Sequence, residues 1–250
     1  MHAATTPLPR ALAHIGRALA LVATLWTASC GEGTPADPPR GARSQFDAPA
    51  ADAAPAEAPL AIPEDAPTVL FMGDSIGAGL HLAAHQAFPA VLQRRLAGAG
   101  LPFHLVNASE SGRTTAGGAS ALAWSLRSDP DVVVIELGGN DGLRNVPVPQ
   151  VEANLERMLA EAAAAGARVL LLGVRLPPNY GSYGAEFDAV YPRLAERHGV
   201  AFVPFFMAGV GGVPELNLPD GLHPTAAGHE RLADNVEASL RALLLELQAE

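Results

Sequence analysis

The sequence predicts an α/β chain, a single three-layer α/β/α sandwich around a five-stranded parallel sheet. Two observations carry this reading. Five short, continuous apolar runs recur between residues 68 and 204, and helically spaced stretches separate and follow them. Strands that are apolar on both faces belong to sheets covered by helices on both sides, which is how parallel sheets are built. No internal repeat divides the pattern, so one domain accounts for it.

The elements follow in order. Thr68–Met72 (TVLFM) is the first run, and the helical stretch Pro89–Ala99 follows it. Phe103–Asn107 (FHLVN) precedes Gly117–Arg127, and Asp131–Leu137 (DVVVIEL) precedes Pro149–Ala165. Arg168–Val174 (RVLLLGV) precedes Ala185–Arg197, and Ala201–Pro204 (AFVP) precedes Thr225–Leu247. Two helices have clean apolar stripes at 3–4 spacing: Val151, Leu155, Met158 and Leu159 in one, Leu232, Val236, Leu240, Leu243 and Leu244 in the other. The domain is thus expected over residues 68–250.

What precedes it is different material. Residues 1–30 carry Arg10 and Arg17, no acid, and the apolar stretch 18–26, a charged start and short hydrophobic core that read as an export signal. Residues 31–67 hold eight of the 22 prolines, seven acids and two arginines. With little to bury, such a segment is expected to act as a disordered linker, spanning about 35 Å as a flexible coil. Cys30, the only cysteine, closes Thr27–Ala28–Ser29–Cys30, which resembles the lipobox of bacterial lipoproteins. Thr27 stands where that motif prefers an aliphatic residue. Lipidation of Cys30, hence a membrane-anchored envelope protein, is weighed against ordinary signal cleavage that leaves a free thiol.

Composition excludes several functions. The net charge is −10, of which the signal contributes +2, the linker −5 and the body −7. That balance argues against nucleic acid as a partner, because phosphate binding needs concentrated positive charge. A single cysteine excludes an internal disulfide framework and a cysteine-rich metal site. All 16 basic residues are arginine, so neither lysine Schiff-base chemistry nor a GK[ST] phosphate loop is available. No metal or organic cofactor is called for, and the oligomeric state is not legible.

Ligands of open parallel sheets sit at the carboxyl ends of the strands. There the sequence places Gly73–Asp74–Ser75–Ile76–Gly77, then Asn107–Ala108–Ser109–Glu110–Ser111–Gly112, then Gly138–Gly139–Asn140–Asp141, and Asp220–Gly221–Leu222–His223–Pro224 before the last helix. These residues suit acyl transfer to water. Ser75 is a candidate nucleophile, His223 the base that takes its proton, and Asp220 the carboxylate that orients the imidazole. The Ser75 and Gly112 N–H groups and the Asn140 amide are candidate oxyanion donors. Each segment alone also reads as an ordinary turn or helix start. Their joint occurrence at successive strand ends favours the catalytic reading. His198 and His229 fall on helices and are expected to face solvent, while His81, His85 and His104 lack a paired motif.

Gly73–Ser75–Gly77 also satisfies the G-x-S-x-G of α/β-hydrolases. That fold places its serine after several strands and its acid and base on separate loops, whereas here Ser75 follows the first strand and Asp220 and His223 lie three apart.

GDS at 73–75, the glycine at 112, GGND at 138–141 and DGLHP at 220–224 resemble the signature blocks of the SGNH (GDSL) hydrolases. ELGGNDGLR (136–144), RLPPNYG (175–181) and PFFM (204–207) look like the bacterial arylesterase and thioesterase I/lysophospholipase group within it. The resemblance implies a flavodoxin-like fold, Ser75, His223 and Asp220 as nucleophile, base and acid, and an oxyanion hole of Ser75, Gly112 and Asn140. It also implies a groove for an acyl chain, contacted by Leu143, Val146, Leu176, Asn179 and Tyr180. The expected activity is hydrolysis of carboxylic esters, among them lysophospholipids, short to medium acyl or aryl esters, and thioesters. A carbohydrate O-acetyl esterase or a non-catalytic flavodoxin-like binding module on the same fold are the alternatives.

Overall fold

The computed structural model describes residues 60–249. The expected signal over 1–30, Cys30, and the linker as far as residue 59 lie outside them. The described chain joins the sheet at β1 (Thr68–Gly73), where the Pro67 carbonyl accepts from His104 N–H at 2.8 Å. The other strands are β2 (His104–Asn107), β3 (Val132–Glu136), β4 (Arg168–Leu172) and β5 (Ala201–Val203). They are all parallel, in the order β2-β1-β3-β4-β5. This is the flavodoxin-like arrangement that the resemblance implied. Position in the sheet tracks the apolar runs: β1, β3 and β4 are central and almost wholly buried, while β2 and β5 are half-buried edges.

The long helices α2 (Phe88–Gly98), α3 (Thr115–Ser125), α5 (Val148–Ala164) and α8 (Ala226–Gln248) cover the sheet, α2 packing on α8 and α3 on α5. Every residue of the two stripes expected to face the core is buried. Two single-turn helices, α1 (Ser75–Ala78) and α4 (Gly139–Leu143), begin at the motif loops after β1 and β3. Between β4 and β5 the expected single helix 185–197 is two: α6 (Gly181–Asp188) and α7 (Val190–His198). Pro192 explains the break, because it offers no N–H to the Asp188 carbonyl and its ring crowds that carbonyl.

His229 corrects the expectation of a solvated side chain. It is 1% exposed, inside α8, and its Nδ1 accepts the Phe88 N–H at 3.1 Å. The residue preceding α2 is Ala87, which has no capping side chain, so His229 satisfies that helix start from across the fold. Its ring stacks on Phe88 with centroids 6.3 Å apart. Burial, and secondarily the charge on His223, push its pKa down to about 4 from the ordinary 6.5. Between those values the unfolded chain binds a proton that the folded chain refuses, so stability falls as pH drops through the window. The expected loss between pH 7 and pH 4 is about 3 kcal/mol from this group. Denaturant unfolding of the wild type and of His229→Gln, which keeps an acceptor but does not titrate, checks it. Equal pH slopes for the two proteins would clear His229 of the effect.

Candidate active site

The chain leaves β1 to form β2 on one side and crosses back to β3 on the other, so the loops after β1 and β3 diverge and open a crevice at the sheet's carboxyl edge. Ser75 enters it at the first residue of α1, and Asn140 at the second residue of α4. Asp220 and His223 arrive on the turn before α8, fastened by Leu218 N–H to the His223 carbonyl at 2.7 Å. Thr225 then caps α8, accepting from Gly228 N–H at 3.2 Å.

The three groups form one line. Ser75 Oγ lies 3.0 Å from His223 Nε2, and His223 Nδ1 lies 2.7 Å from Asp220 Oδ2. The other Asp220 oxygen accepts the backbone N–H groups of Leu222 at 2.9 Å and His223 at 3.0 Å. The His223 backbone N–H first, then its imidazole and the Leu222 N–H, hold the Asp220 carboxyl well below the usual carboxylate range. It is therefore an anion wherever the imidazole needs one, and it fixes Nδ1 as the protonated nitrogen. Nε2 is left to accept from Ser75.

The GGND segment divides into separate tasks. Gly138 has φ +123°, and a Cβ there would collide with the Tyr191 hydroxyl, which donates to the Leu137 carbonyl at 3.0 Å. Asp141 is buried and accepts the Thr115 N–H at 2.8 Å and its hydroxyl at 2.7 Å, tying α4 to the start of α3. Gly139 and Asn140 line the cleft, and Asn140 alone of the four brings a polar side chain to it. Its Nδ2 donates to Asp74 Oδ2 at 3.1 Å, and its Oδ1 receives the Arg144 guanidinium at 3.4 Å. An acceptor at one end and a donor at the other set which way the amide points. Gly112, at φ +80°, brings its backbone to the same cleft in a conformation that side-chain-bearing residues rarely adopt.

The cleft measures about 290 Å³ and holds Ser75, Gly112, Asn140 and His223 together. Its walls are mostly apolar, with Leu80, Leu143, Val174, Phe206, Met207 and Leu222 contributing. Of the five expected substrate contacts only Leu143 lines it. Leu176 packs against Gly142, under the cleft wall. Val146 is half-buried, and its carbonyl accepts from the Tyr183 hydroxyl at 2.8 Å. Asn179 and Tyr180 sit in a short helical turn, with Tyr180 against Tyr183. The sequence reading missed the opposite wall. Leu222, the one apolar side chain between Asp220 and His223 in the motif, is 43% exposed, and its place there was the available signal.

Among the described residues no group of three or more His, Cys, Asp and Glu is arranged to hold a metal ion. No described helix is long and apolar enough to cross a membrane. What the arrangement can do chemically is deliver a serine oxygen to an acyl carbonyl and stabilise the charge that develops there.

Known proteins share this arrangement of sequence. The profile of the GDSL-like lipase/acylhydrolase family matches residues 71–231. Esterase TesA of Pseudomonas aeruginosa is 49% identical over 181 residues, 72% of this chain and 90% of that protein. Thioesterase 1/protease 1/lysophospholipase L1 of Escherichia coli is 39% identical over 181 residues, 72% and 86% of the respective chains. A crystal structure of TesA superposes with a TM-score of 0.68 at 49% identity, over 70% of this chain and 99% of that one.

Proposed function

Since the chain belongs to the GDSL-like lipase/acylhydrolase family and is a serine esterase, we propose that it cleaves medium-chain acyl esters and lysophospholipids through an acyl-enzyme on Ser75. The observation that carries this reading is the line Asp220–His223–Ser75 opening onto an apolar cleft. Ser75 Oγ attacks the acyl carbonyl carbon while His223 Nε2 takes its proton, and Asp220 stabilises the imidazolium. The carbonyl oxygen, now an anion, receives N–H groups from Ser75, Gly112 and Asn140. The C–O bond to the leaving alcohol breaks as His223 returns the proton to it. Water, activated by the same imidazole, then releases the acid and restores Ser75.

The apolar walls favour a chain over an acetyl group alone, and the E. coli relative, named both thioesterase and lysophospholipase, supports thioesters and lysolipids as further substrates. The export pattern and Cys30 support a place in the cell envelope, where lysophospholipids are at hand. A series of p-nitrophenyl esters from acetyl to dodecanoyl, with lysophosphatidylcholine beside it, is expected to give a maximum at medium length and release of fatty acid, and the activity should follow the membrane fraction of the producing cells. Turnover confined to acetyl esters, with acetate released from acetylated glycans, would replace this reading with a carbohydrate esterase.

A further inference from the structure

Glu136 ends β3, the most buried strand, and is itself 2% exposed. The acyl-transfer steps above do not use it. Its Oε2 accepts two backbone N–H groups from the loop that carries the nucleophile: Asp74 at 3.2 Å and Gly77 at 3.1 Å. Asp74 Oδ1 accepts the Ile76 N–H at 3.0 Å. The N–H groups before and after Ser75 are therefore all taken by two carboxyls. Ser75, as the first residue of α1, has no intrahelical acceptor for its own N–H. That donor is left for the cleft, and the second Asp74 oxygen holds Asn140 Nδ2 beside it.

The spacing of the two loop glycines follows from this carboxyl. A Cβ on residue 73 would collide with Glu136 Oε2, and one on residue 77 would lie 2.9 Å from it and 2.5 Å from Ser109 Oγ. The G-x-S-x-G coincidence thus has a local cause: the glycines make room for Glu136 under the turn.

Glu136 holds the Asp74 backbone N–H at 3.2 Å, so the two buried carboxyls are close neighbours, and two such groups do not both ionise readily. Burial and the facing Asp74 charge push Glu136 well up. Burial raises Asp74 too, and Asp141 on α4 adds to this. The Ile76 N–H, the Asn140 amide and His223 draw Asp74 back towards its anion. Tyr191 on α7, the remaining titratable neighbour, is a neutral phenol pushed further up by burial.

We propose that Glu136 is the positioning residue of the oxyanion hole. As a neutral carboxylic acid it grips the Asp74 and Gly77 N–H groups and leaves the Ser75 N–H and Asn140 amide aimed at the developing oxyanion. This role rests on the reading of Ser75 as nucleophile.

Glutamine reproduces the neutral acid, accepting with Oε1 and donating with Nε2, whereas leucine reproduces only its bulk. The expected result is kcat within about fivefold of wild type for Glu136→Gln and lower by about 10²-fold for Glu136→Leu, with KM unmoved in both. Infrared spectra supply a second readout that does not depend on turnover: a carboxylic-acid C=O band at pH 7 in the wild type that Glu136→Gln lacks. If Glu136→Leu fails to fold, the glutamine variant and the band decide. A glutamine variant as slow as the leucine one, full activity in both, or no acid band in the wild type would each overturn the proposal. A wild type inert towards every ester would instead sink the reading of Ser75, and the acid band still reports on Glu136.

Discussion

Ser75→Ala is expected to lower kcat for ester hydrolysis by about 10⁵–10⁶-fold while the protein stays folded. Both halves of this expectation follow from where Ser75 sits. Its Oγ lies 3.0 Å from His223 Nε2 and does not cap α1, because Asp74 supplies that cap. Alanine is a good helix former, so the stability change should stay within about 1 kcal/mol. What survives is the cleft and the oxyanion donors, which bind an ester without offering it a nucleophile. Residual hydrolysis should therefore show no burst of acyl-enzyme. The measurement is single-turnover and steady-state kinetics beside a thermal melt. Undiminished turnover in a folded variant would move the chemistry to another residue.

Much of the site is local in sequence, and that is why it was legible. Asp220 and His223 are three residues apart on one turn, and among the described residues the side-chain hydrogen bonds of Asp220 reach only Leu222 and His223. Central strands announce themselves because burial on both faces demands unbroken apolar runs, as in Val132–Ile135. Glu136 was not legible. It closes such a run, reads as a strand end, and finds its partners 59 and 62 residues earlier in the chain. His229 misled for the same reason, since its helix has a polar face by periodicity but Phe88, 141 residues away, needs an acceptor there. The split at Asp188 was present in the sequence as Pro192, but the apolar spacing across it hides the break. The substrate wall depends on which loop leans over which: Leu176 faces the α4 backbone at Gly142 while Met207 and Leu222 reach the cleft, a matter of tertiary packing alone.

Asp220→Asn should be nearly as damaging as loss of the base, although it changes only one atom of the side chain. The two oxygens of Asp220 face different donors: Oδ1 meets two backbone N–H groups and Oδ2 meets His223 Nδ1. An asparagine amide must choose. Turning its NH₂ towards the Leu222 and His223 N–H groups sets donors against donors twice, so the amide oxygen stays there and Nδ2 faces the imidazole. Nδ1 must then accept, and the proton moves to Nε2, the nitrogen that has to take the Ser75 proton. The site is left intact in shape and wrong in tautomer. The expected loss in kcat is about 10³–10⁴-fold with KM little changed. Asp220→Ala, although it also removes the turn's acceptor and should lower Tm, leaves room for water at Nδ1 and does not enforce the wrong tautomer. Asp220→Asn is accordingly expected to be no more active than Asp220→Ala despite its closer shape. Nitrogen chemical shifts of the His223 imidazole read the tautomer directly. An asparagine variant that keeps Nδ1 protonated, or that turns over within about tenfold of wild type, would show that Asp220 does not act by holding the proton in place.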